Sequence, residues 1–67
     1  MDTLGDALPR EQARVRELIG IYRSIGPSGA FAVAGMEADL READAAVMEQ
    51  DLPRMIRVYE SLKGWKE

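Results

Sequence analysis

Glu37, Asp39, Glu42, Asp44 and Glu49 crowd into one short segment. Clustered carboxylates are what a hard divalent cation or an acid-base reaction needs, several oxygens from one locality. On a helix Asp39 and Glu42 would be surface neighbours, and Glu37 and Asp44 would stand two turns apart. The spacing is not that of a calcium-binding loop, and Arg41 sits among the acids, so the segment reads as a solvated helix face. The glycine-rich stretch "GPSG", residues 26–29, is the second candidate, because free N–H groups at a helix start attract phosphate. It lacks the lysine of a nucleotide-binding loop and follows a helical segment where such a loop follows a strand, so it reads as punctuation between helices. Nucleophilic catalysis has little to work with: the chain holds no Cys and no His, and Ser24, Ser28 and Ser61 have no activating base beside them. Neither an enzyme nor a metal or cofactor is expected.

Sixty-seven residues allow one domain, and a chain near that size buries only about 60% of the surface its unfolded form exposes. Small domains are commonly stapled by a disulfide, a metal or a partner chain; without Cys or His, self-association is the staple expected here. Nine Lys and Arg against twelve Asp and Glu give a net charge of -3, the wrong sign for gripping a phosphate backbone. No run reaches the roughly 18 apolar residues of a membrane span. The opening "MDTLGDALPR" has neither the basic start nor the apolar block of a signal peptide, so a cytoplasmic protein is expected, without membrane partners.

The elements that would carry these residues are three helices, in an all-α fold. Pro9 suits a first helical turn, and Val15, Leu18, Ile19, Tyr22 and Ile25 keep the 3-4 spacing of one face, which predicts a helix over about 9–25 after a flexible 1–8. Gly26 followed by Pro27 stops it, and Ser28 is placed to cap a second helix over about 29–49. Along that helix Val33, Met36, Leu40, Ala43 and Val47 recur at 3, 4, 3, 4, the repeat of a helix-helix seam. Ala30, Ala34, Ala38 and Ala45, with Phe31 and Gly35 at the border, form a second stripe where another helix could approach closely. Glu37 and Arg41 are placed for an i,i+4 ion pair. Asp51 can cap a third helix over about 52–63 with Leu52, Met55, Ile56, Tyr59 and Leu62 on one face, ended by a left-handed Gly64 that turns Trp65 back on the last turn. The expected architecture is a helical hairpin extended by a short third helix, one domain over 9–67, pairing as a homodimer through the Val33, Met36, Leu40, Ala43 and Val47 seam.

Protein binding is the function this composition supports at least cost. Phe31, Met48 and Trp65 fall off the main apolar stripes and belong to residue types enriched at interface centres. With Arg16 and Arg23 of the first helix and Arg54 and Arg57 of the third, they form the expected partner-binding set. A small DNA-binding regulator is the alternative, since three short helices with a glycine-containing turn match a helix-turn-helix outline. Its phosphate contacts would fall to Arg10, Arg14, Arg16 and Arg23, or to Arg54 and Arg57. The second helix is too acidic for a recognition helix, so nucleic acid is not the expected partner.

The segments "EQARVRELIGIYRSIGPSGAF", "LREADAAV" and "MIRVYESLKG" together resemble a family of small proteins encoded by Mu-like and related temperate phages of Pseudomonas and other proteobacteria, over about residues 11 to 64. That resemblance implies a tiny helical dimer, made in a bacterial host, that works by occupying surfaces of host proteins. A phage product of this size class and host range is an anti-activator of quorum sensing, which binds a LuxR-type transcriptional regulator and a type IV pilus assembly ATPase. The resemblance therefore implies inhibition of a host regulator of that type, and it carries over no individual residue role.

Overall fold

Thr3 starts the first helix. In the computed structural model, which describes residues 3–66, its hydroxyl oxygen accepts the Asp6 N–H at 3.2 Å while its own N–H donates to the Asp6 carboxylate at 3.4 Å. This reciprocal capping box satisfies two donors that a helix start leaves without partners. The helix, α1, spans Leu4–Ile25. It begins five residues before the expected start at Pro9, so residues 4–8 are helix and Thr3 is its cap; Met1 and Asp2, the rest of the expected flexible stretch, and Glu67, at the end of the expected domain, lie outside the described residues. Pro9 sits inside the helix, where its missing N–H costs the bond to the Gly5 carbonyl. The capping box and the complete burial of Leu8 offset that loss.

Gly26, at φ 100°, ends α1 in a conformation that disfavours any residue with a Cβ. Pro27–Gly29 then form one 3-10 turn, and α2 (Ala30–Met48) follows directly. Ser28 does not cap α2, contrary to the sequence expectation. The chain enters the helix from Gly29 in a helical conformation, so no extended residue precedes α2 to offer a side-chain cap. Gly29 is buried against α1, and a Cβ there would collide with the Tyr22 carbonyl. At the other end of α2, the Asp51 N–H donates to Ala46 O and the Gln50 N–H to Val47 O. That is the Schellman pattern, with Gln50 at φ 53° where glycine is usual. Asp51 accepts the Arg54 N–H at 3.3 Å and caps α3 (Leu52–Lys63), as expected from the sequence.

The short connections stack α1 and α3 side by side against α2, which runs antiparallel to both, in a bundle of 35 × 23 × 15 Å. Leu8, Val15, Leu18 and Ile19 of α1, Val33, Met36, Leu40, Ala43 and Ala46 of α2, and Val58 and Leu62 of α3 are its core. The expected dimer seam is therefore mostly inside the molecule. Val33, Met36, Leu40 and Ala43 are covered by α1 and α3 of the same chain, and only Val47 stays exposed. The alanine stripe receives no helix; Ala30, Ala34 and Ala38 face solvent, and what comes close at Gly35 is the Trp65 ring. On α3 the buried face is turned toward Val58 and Leu62, leaving Leu52 and Ile56 outside.

Arg14 closes the bundle. Its guanidinium donates to the carbonyls of Leu62 at 2.8 Å and Trp65 at 2.7 Å, while Glu11 holds its other side. A cation at the C-terminal end of α3 satisfies carbonyls the helix leaves open and opposes its dipole. Gly64 consequently stays right-handed, at φ -73°, and not left-handed as expected. The chain carries Trp65 across to α2, where the indole lies on Gly35 and Nε1–H donates to Asp39 at 2.8 Å. Asp39 also accepts the Ser61 hydroxyl at 2.7 Å, and the Tyr22 hydroxyl donates to the Lys66 carbonyl.

Arg54 ties α3 to the end of α2. It donates to Glu42 at 2.9 Å and Glu49 at 2.7 Å, and lies 3.9 Å from Asp51. The hydrogen bond from Arg54, reinforced by the charges of Arg54 and Arg57, holds the Glu42 carboxyl below its ordinary value, and the same bond raises the basicity of Arg54.

Two outcomes are expected. In Gly35→Ala the new Cβ would lie 2.8 Å from the Trp65 ring, so the indole must leave its place. Overpacking costs about 1–3 kcal/mol, more than the roughly 1 kcal/mol gained in helix propensity. The variant is then less stable, and emission from the chain's single tryptophan shifts to the red; unchanged emission would contradict this packing. Because Glu42 is depressed in the fold, its contribution is complete above the unfolded value and disappears as pH falls through the folded one. Urea melts should show Glu42→Gln less stable than the parent at neutral pH, with the gap closing below about pH 4.

Candidate interaction surfaces

The structure distributes the carboxylates of α2 among partners on the other helices. Glu37 pairs with Arg23 at 2.9 Å, Asp44 accepts the amide of the buried Gln12 at 2.9 Å, and Asp39 holds Ser61 and Trp65. Glu42 and Glu49 share Arg54. The acids thus cross-link the helices, while Glu42, Asp44 and Glu49 stay exposed to solvent as expected. Among the described residues no three His, Cys, Asp or Glu side chains converge as metal ligands. Glu37 is engaged by Arg23 on α1, not by Arg41 on its own helix. In the "GPSG" turn the Gly29 N–H donates to Gly26 O and the Ala30 N–H to Pro27 O, so two of the donors a phosphate would need are already used.

Three surfaces stand out among the described residues. At the end of the bundle where α2 passes into α3, Val47 (44% exposed), Met48 (85%), Leu52 (60%) and Ile56 (53%) flank the turn formed by residues 49–51. Leu52 and Ile56 share one stripe of α3. From Ile56 a shallow hollow of about 410 Å³ continues over Thr3, Leu4, Ala7, Tyr59 and Glu60. The opposite end carries Phe31, 92% exposed, with Ile25 and Ile21. A hollow of about 260 Å³ there is lined by Tyr22, Ile25, Ser28, Gly29 and Ala32. Along the side, α1 and α2 form a groove of about 430 Å³ between Arg16, Ile19 and Arg23 on one wall and Glu37, Leu40, Arg41 and Asp44 on the other.

The residues expected to bind a partner do not share one face. Arg16 and Arg23 line the side groove, Phe31 stands at one end, and Met48 at the other. Arg54 is spent on three carboxylates. Arg57 is exposed and acts on Glu42 through its charge. Trp65 is half-buried against the core with its N–H bonded. Leu52 and Ile56, expected on the packed face of α3, are exposed, and Arg41, expected to pair with Glu37, lines the side groove. A signal for the first two was present, because Leu52, Met55, Ile56, Val58, Tyr59 and Leu62 span too wide an arc of a twelve-residue helix for one buried face.

Compared with known proteins, the chain matches no family model, no curated protein and no solved structure.

Proposed function

We propose that this protein acts by binding another protein, through the apolar end formed by Val47, Met48, Leu52 and Ile56. The observation that carries this reading is that four large apolar side chains stay outside a core complete without them. Exposed apolar clusters of this kind mark docking surfaces, and a flexible methionine at the centre adapts to an opposing surface. Charge plays a lesser part there, since Arg54 at the rim is already held by its own carboxylates.

The finer reading is stoichiometric inhibition of a host bacterial regulator, of the LuxR type that the sequence resemblance implies, in a protein without catalytic function of its own. Pairing of two copies belongs to the same surface, because Val47 is the one residue of the expected seam left outside, and such pairing is reversible and not required for folding. A DNA-binding role loses one of its contacts, as Arg14 is occupied by Glu11 and by the end of α3.

The test is affinity purification of the tagged chain from a nuclease-treated Pseudomonas lysate, beside a Met48→Lys, Ile56→Lys double variant. Substitutions at these exposed positions should leave the helical circular dichroism unchanged, each moving stability by no more than about 0.5 kcal/mol. The expected result is a stoichiometric host protein retained by the parent chain and at least tenfold depleted in the variant. Equal retention by both, or copurification of nucleic acid alone when nuclease is omitted, would overturn the reading.

A further inference from the structure

Arg14, Arg23, Arg54 and Lys63 each have a carboxylate partner within the chain. Among the described residues Arg16 and Arg41 have none, although the chain holds twelve acids, and both line the groove between α1 and α2. Two cross-links fix the register of these antiparallel helices: Gln12 to Asp44 at one end of the groove, Arg23 to Glu37 at the other. Arg16 lies one turn beyond Gln12 on α1, and Arg41 lies one turn before Asp44 on α2. These two arginines therefore fall on facing walls. Between them, Ile19 and Leu40 form a floor already closed by the core.

We infer that this groove takes an acidic helical segment of a partner protein, with a carboxylate seated between Arg16 and Arg41. The proposal rests on the protein-binding reading but uses a surface separate from the apolar end. Like charges on facing walls repel, and a carboxylate between them removes that repulsion while accepting hydrogen bonds from both planar guanidinium groups. The groove carries three arginines, Arg16, Arg23 and Arg41, against Glu37 and Asp44. Arg23 is neutralised by Glu37, and one oxygen of Asp44 is taken by Gln12. One positive charge is left on a chain of net -3, enough for an isolated carboxylate and too little for a run of phosphates. A cleft between two helices with a narrow apolar floor suits a partner helix that places an aliphatic side chain beside its acid.

The probe is a fluorescein-labelled amphipathic peptide of roughly sixteen residues, about four helical turns, built from Leu, Ala and Glu, with a twin in which every Glu is Gln. An oligothymidylate of similar length serves as the phosphate control. Fluorescence anisotropy at low salt should show the Glu peptide bound and the Gln twin at least tenfold weaker. Arg16→Gln and Arg41→Gln should each weaken binding several-fold, and together abolish it, with circular dichroism unchanged. Amide shifts on titration should centre on Arg16, Ile19, Leu40 and Arg41. The Met48→Lys, Ile56→Lys variant should bind this peptide as the parent does, so failure of the apolar-end reading and failure of this one are told apart. No binding of the Glu peptide at about 1 mM protein, binding untouched by the double arginine variant, or tighter arginine-dependent binding of the oligothymidylate would each overturn the proposal.

Discussion

Arg14 holds the carbonyl end of α3, and through Trp65 that end is laid on Gly35 and Asp39 of α2. A twelve-residue helix does not persist alone in water, so this clasp of all three helices decides whether α3 joins the bundle. Once α3 is seated, Val58 and Leu62 close over Met36 and the α2 stripe is buried. The apolar surface that a two-helix hairpin would have offered to a second copy is then used within one chain. Among the described residues, what remains uncovered is Leu52 and Ile56 of α3 with the neighbouring Val47 and Met48, the Phe31 and Ile25 end, and the α1/α2 groove on the side.

The polar residues obey the same economy. Gln12 is buried and bonds Asp44; Arg23 spans to Glu37; Arg54 gathers Glu42 and Glu49. Each link joins α2 to another helix or to the adjoining turn and helps to set register. Exposed ion pairs contribute little individually, and their effect here is geometric. By fixing α1 against α2 at both ends of the groove, they leave Arg16 and Arg41 on facing walls, without a carboxylate partner among the described residues. The described surface thus offers an apolar end and a basic notch, the two features on which the proposed binding of a protein partner rests.

Local chemistry made part of this fold legible in the sequence. Gly26 with Pro27, and Asp51 with Pro53, carry their meaning in adjacent residues, and the helix boundaries around them agree with expectation. The start of α1 was hidden because Pro9 is a louder signal than Thr3 with Asp6, although the capping box is the one that acts. The α2 stripe was visible as a seam, yet periodicity does not say which chain covers it. Trp65 and the α2 acids were illegible for a related reason: their partners are Gly35, Arg14, Gln12 and Arg54, and such pairings appear only once the helices are stacked. The candidate surfaces suffered most, because exposure of Leu52 and Ile56 depends on how α3 turns about its axis, and the place of Arg41 on how α1 packs against α2.

One chain buries its own α2 stripe. Sedimentation and circular dichroism across a dilution series test it most directly, following mass and helicity on the same samples. The protein should keep its helical signal and a cooperative unfolding transition at concentrations where only monomer sediments. Helicity that falls in step with dissociation, as in an obligate dimer whose stability depends on protomer concentration, would contradict it.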